Sequence, residues 1–170
     1  MLNKLLVEVH RINDDDIRAF TLKVVTTAPE NSWKMPSSRD HHMKDECGEW
    51  GNLIHTLRVI KVCDTLADIL NLPQPQKDIL KSAAILHDSC KHGVNAEAVF
   101  IYKEHPQLVK DLVEKIGLKA NPLVMDCVGQ HMGRWGRVIC DWRNSNQITL
   151  PFLLHIADCI EARVEEIVKL

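Results

Sequence analysis

The chain has 170 residues, and its 21 basic against 23 acidic side chains give a net charge of −2, which excludes the basic footprint of an extended nucleic-acid binder. That length suits one domain, residues 1–170, able to bury a core without staples. Its six cysteines form no CxxC pair, so they read as reduced thiols of a cytoplasmic protein, and no targeting or membrane segment is apparent.

Helical periodicity dominates and two-residue alternation is absent, which predicts an all-α fold. Asn13-Asp14-Asp15-Asp16 places negative charge at the start of a helix that runs through about Val25. Residues 26–51 are rich in polar residues, Pro and Gly, and read as a loop over the site that contains His41, His42, Trp33 and Trp50. Residues 1–50 thus form N-terminal helices and a loop, ahead of a helical core in 51–170.

Residues 53–70 carry a broad apolar face ended by Pro73. A second core helix is expected over 76–87, and a short third over 96–102. Three later helices each begin with proline in the first turn, at 106–116, 122–131 and 151 to about 169. Gly117 is placed to close the first of these and Asn121 to cap the second. Residues 133–149 form a second long connection, with Trp135 and Trp142 in it.

Candidate ligands fall at the helix ends. His87 and Asp88 follow the apolar run Ser82-Ala83-Ala84-Ile85-Leu86, and adjacent polar groups at the end of a buried helix are costly unless something binds them. His55 lies in the first turn of its helix, His105 directly precedes Pro106, His131 ends the next helix, and Asp158 lies two turns into the last. Such residues can converge on one cleft between helices. Four imidazoles and two carboxylates exceed what one tetrahedral zinc needs, and suit two adjacent divalent metals with Asp88 as the bridge. A set without thiolate points to Fe, Mn, Ni, Co or Mg. His155, three residues before Asp158, reads as a packing or supporting residue, and His10 and His92 carry no signal. Lys91 returns toward the metals from Asp88, and Arg134 is a candidate phosphate clamp.

The spaced H…HD…H…H…D set resembles the HD-domain superfamily of metal-dependent phosphohydrolases, over about residues 36–163. Residues 84–91, AILHDSCK, resemble that family's LLHDxxK core, and residues 156–163, IADCIEAR, resemble the ADxxExxR ending of HD-type diadenosine tetraphosphate hydrolases. His41-His42 ahead of Gly51 and His55-Thr56 resembles the entry of HD-type 3′–5′ exoribonucleases. Gly51-Asn52 stands where those have paired glycines, and no OB module accompanies it, which argues against a ribonuclease. The resemblance implies a metal-activated water attacking a phosphoester of a nucleotide or related metabolite, with Asp88, Lys91 and Arg134 in catalytic roles and no organic cofactor. The partner expected is therefore a small phosphorylated molecule, and oligomers are allowed. Two alternatives share the pattern: a mixed-valent di-iron oxygenase of the same superfamily, and a non-catalytic nucleotide-sensing module.

Overall fold

The computed structural model describes residues 1–38, 43–95, 103–136 and 148–163. Helices α1 (Leu2–His10), α2 (Asp15–Thr27), α3 (Glu30–Lys34), α4 (Gly51–Ile69), α5 (Gln74–Leu86), α6 (His105–Lys115), α7 (Pro122–Gln130) and α8 (Leu150–Glu161) follow in order, with single 3-10 turns at Lys44–Glu46 and Gly133–Trp135. Among the described residues there is no strand, so the architecture is all-α.

Local chemistry accounts for the helix boundaries. The Asp14 carboxylate accepts from the Ile17 amide at 2.9 Å, and Asp15 and Asp16 add negative charge to the first turn of α2. Asn121 accepts from Leu123 and Val124 to cap α7, and Thr149 accepts from Phe152 to cap α8. Asn71 and Gly117 take up left-handed backbone just past α4 and α6.

Helix α5 is the central element, buried continuously from Asp78 to Leu86. It packs against α2, α4 and α7, while α4 lies along α8 and α7 also meets α8. One hydrophobic cluster draws residues from each of the described helices, among them Leu5, Val24, Trp33, Leu53, Ile85, Val109, Val128 and Leu154. No helix among the described residues is long and apolar enough to cross a membrane.

Several sequence expectations need correction. Residues 26–51 are not one loop, because α3 and the 3-10 turn at Lys44–Glu46 lie within them. Trp33 is accordingly no loop residue: it sits in α3 with its ring fully buried. Helix α1 joins α2 among the N-terminal helices of residues 1–50, with Leu5 and Val9 as its buried face. Helix α8 stops at Glu161, where the Arg163 amide bonds back to the Ile160 carbonyl and tightens the turn. The helix expected over 96–102, together with His41, His42, Cys140 and Trp142, lies outside the described residues.

Candidate metal centre

The entry to α4 is built by close backbone contact. A Cβ at Gly51 would lie 1.9 Å from the Glu46 carbonyl oxygen, so no other residue fits there. Amides of Ser37, Trp50 and Asn52 donate to the carbonyls of Glu46, Lys34 and Met35, clamping the segment after α3 onto the start of α4. This clamp fixes His55 one turn into α4, with no exposed surface. His87 and Asp88 continue from the end of α5 through tight turns, in which Ser89 bonds back to Leu86 and Lys91 to Asp88. His105 opens α6, His131 follows the last residue of α7, and Asp158 comes from α8.

The structure brings all six of these side chains together. Asp88 Oδ2 lies 3.5 Å from Nε2 of both His55 and His87. Its other oxygen, Oδ1, lies 2.9 Å from His105 Nε2 and 3.7 Å from His131 Nε2. Asp158 Oδ1 reaches His55 Nε2 at 3.1 Å. Two groups able to hold an ion result, His55-His87-Asp88 and Asp88-His105-His131, and Asp88 is common to both.

The hydrogen bonds on the far side of each ring define which nitrogen faces inward. His87 Nδ1 donates to the Ala84 carbonyl at 2.8 Å, His131 Nδ1 to the Val128 carbonyl at 2.7 Å, and His55 Nδ1 to the Glu161 carboxylate at 2.5 Å. With Nδ1 carrying the proton, a neutral ring turns its Nε2 lone pair to the centre. Yet His55 and His87 bring their Nε2 atoms to 3.3 Å, and His105 and His131 to 3.1 Å. Lone pairs that close repel unless a proton or a cation lies between them. The donor set therefore fits divalent ions, and its imidazole and carboxylate character suits a transition metal.

Electrostatics follow the same arrangement. Burial pulls the His55 pKa down, but the hydrogen bonds His55 donates to Asp158 and Glu161 outweigh it and leave it raised to about 10. Burial dominates at His87, lowering it to about 4, and it also lowers His105. At Asp88 burial acts upward, yet Lys91 and His87 hold the carboxyl well below its usual range. Asp158 is likewise depressed against the effect of burial, chiefly by its hydrogen bond to His55.

Lys91 is buried, with Nζ 2.5 Å from Asp88 Oδ2 and 3.3 Å from Ser37 Oγ. It belongs to the centre and is not a surface lysine. Arg134 lies in the 3-10 turn after His131 by its backbone, and its side chain lies outside the described residues. His155 stays out of the donor set: its Nδ1 donates to the His131 carbonyl at 2.7 Å. Its ring occupies the space a Cβ on Gly133 would need, at 2.5 Å. His155 therefore braces the turn that presents His131, the supporting role its spacing suggested.

Sequence reading gave no role to four residues beside the centre. Glu161 binds His55 and lies three residues after Asp158 on the same face of α8, a spacing that carries a signal. Glu46 (3.7 Å from His55 Nδ1) and Ser37 come from the segment between α3 and α4, where no periodicity marks them. His92 is buried and bonds through Nε2 to the Pro36 carbonyl at 3.0 Å, fastening the same segment from the other side.

The model of the HD domain matches residues 52–163, which covers α4 through the end of α8 and every donor named above. The chain belongs to the HD-domain family. No curated protein and no solved structure matches it. HD domains form a superfamily of metal-dependent phosphohydrolase type and bind divalent metals, and this HD domain carries His and Asp clusters that can hold them.

Proposed function

We propose that this HD domain is a metal-dependent phosphohydrolase that cleaves a phosphoester of a nucleotide or related phosphorylated metabolite. The observation that carries the reading is the division of Asp88, one oxygen toward His55 and His87 and the other toward His105 and His131. Asp88 would hold two ions side by side, with His55, His87 and Asp158 completing one position and His105 and His131 the other. Divalent ions held there would lower the pKa of water to give a nucleophile at neutral pH, and would polarise a phosphoryl oxygen.

The protein's own groups supply the rest. Lys91 brings a buried positive charge to the edge of the centre, suited to the charge that gathers on phosphoryl oxygens during in-line attack. Ser37 keeps that ammonium from rotating freely. Arg134 would add a planar donor pair able to engage two oxygens at once. The net charge of −2 favours a small substrate over a long polyanion.

The test is a panel of nucleotides and phosphomonoesters offered to chelator-stripped protein reloaded with Mn²⁺, in air and under anaerobic conditions. Phosphate or nucleotide release that persists without O₂ is expected. Turnover that needs iron and stops without O₂ would establish the oxygenase reading instead. Absence of turnover with metal fully bound would favour the sensing module.

A further inference from the structure

Behind His55, away from the other donors, lies a second cluster of charge. Glu161 Oε2 accepts from His55 Nδ1 at 2.5 Å, and Glu46 Oε2 lies 3.7 Å from the same nitrogen. Both carboxylates are buried, at 2% and 0% side-chain exposure. Arg58, one turn beyond His55 on α4, bonds Glu46 Oε1 and lies 4.0 Å from Glu161 Oε1. Arg58 then reaches the surface, where Asp45 takes it through two bonds of 3.0 and 2.7 Å.

Glu46, His55 and Glu161 are close enough to hold an ion of their own. The Arg58 guanidinium already stands against both carboxylates, so the cation at this place is a side chain. Two buried carboxylates paired with one arginine make poor economy for stability alone, since well-packed apolar residues do as well or better. Their arrangement instead converges on one atom, His55 Nδ1.

We propose that Glu161 is a positioning residue of the metal centre, fixing the ring orientation and the proton location of His55, and that Arg58, anchored by Glu46, holds Glu161 in place. This rests on the reading of His55 as an ion ligand. Of the imidazoles, His87 and His131 are held by neutral carbonyls, whereas His55 is held by a carboxylate. A charged acceptor makes the stronger, shorter bond and restrains the ring more tightly. The ion position of His55, His87 and Asp158 is consequently preorganised at His55. Losing such an outer partner typically weakens metal affinity by about 10–100-fold.

Chelator-stripped wild type, Glu161→Gln, Glu161→Leu and His55→Ala are titrated with Mn²⁺ alone by calorimetry, with circular dichroism as a check on folding. Expected are loss of one equivalent in His55→Ala, and weakening of that same equivalent by about 10-fold in Glu161→Gln, which keeps a neutral acceptor, and by about 100-fold in Glu161→Leu. Nitrogen NMR of the Zn²⁺-loaded protein supplies a second readout: the His55 ring carries its proton at Nδ1 in wild type and shows ring or tautomer exchange in Glu161→Leu. Should the leucine variant not fold, the isosteric glutamine carries the test. Wild-type Mn²⁺ affinity in both Glu161 variants, with affinity lost in His55→Ala, would overturn the proposal and leave the ligand reading standing. Unchanged affinity in His55→Ala as well would overturn both.

Discussion

The Asn52 side-chain amide donates at 3.1 Å to the main-chain carbonyl of Asp88, and at the same distance to that of Ser32. One buried residue in the first turn of α4 thus ties α3 to the turn that carries the His-Asp pair. Asn52→Ala leaves the Asp88 carbonyl with the Lys91 amide alone, at a cost of about 1–3 kcal/mol. Asn52→Asp should be worse, because a buried carboxylate would face two carbonyl oxygens. Chemical denaturation of the two variants measures the order, and an aspartate variant as stable as wild type would contradict it.

The two halves of the centre should be separable by stoichiometry. His105→Ala or His131→Ala removes a donor from one group only, so each should lower bound metal by about one equivalent and spare the other ion. Asp88→Ala takes a donor from both groups and should strip nearly all of it. Elemental analysis after equilibration with Mn²⁺ decides, and equal metal in wild type and Asp88→Ala would refute the shared carboxylate.

Lys91 should matter for turnover and not for metal content. Its replacement by Ala removes one charge-stabilising donor and should lower kcat by about 10²–10³-fold at full metal occupancy. Lys91→Arg should not restore the rate, since a planar fork cannot take the place of a compact ammonium packed against Asp88 and Ser37. Ser37→Ala should produce a smaller loss in the same direction. Steady-state kinetics on metal-saturated protein reads all three.

Stripped of metal, the protein should be most stable near pH 6.5. His55 takes up its proton more readily folded than unfolded, about 10 against 6.5, so its contribution is complete below pH 6.5 and is lost as pH rises toward 10. His87 behaves oppositely, its pKa falling from 6.5 to about 4, so the unfolded chain binds more protons in that window and stability drops as pH falls through it. His105 adds to the acid side. Thermal melts of EDTA-treated protein across the range should show losses on both sides, whereas a steady rise toward alkaline pH would contradict the His55 assignment.

How much of this was legible beforehand depended on length and on polarity. His87, Asp88 and His131 could be placed because each sits at the end of an apolar helix, where a polar donor stands out, and His105 because it directly precedes the first-turn proline of α6. Asp158 was marked by its setting in an otherwise apolar helix. Trp33 was misread because α3 has only five residues, too few for a period to show against the Pro, Asn and Ser around it. Glu46 carried no signal, since its place beside His55 is set by the Gly51 close contact and by three backbone bonds that tie residues 34–37 to Glu46, Trp50 and Asn52. Glu161 was visible as a letter in the ADxxExxR ending, but its role depended on α4 and α8 lying side by side.

The donors of the centre come from the first turn of α4, the exit of α5, the start of α6, the exit of α7 and the second half of α8. Their separation along the chain, from 55 to 158, means that all six donors are drawn together only when the last helix docks and brings in Asp158. An ion that engages Asp158 would report that folding has finished. It also acts as ballast for the finished state, worth about 2.7 kcal/mol when free metal stands at a hundred times its dissociation constant. Cellular metal supply would then govern how long each copy of the chain survives proteolysis, as well as how fast it turns over.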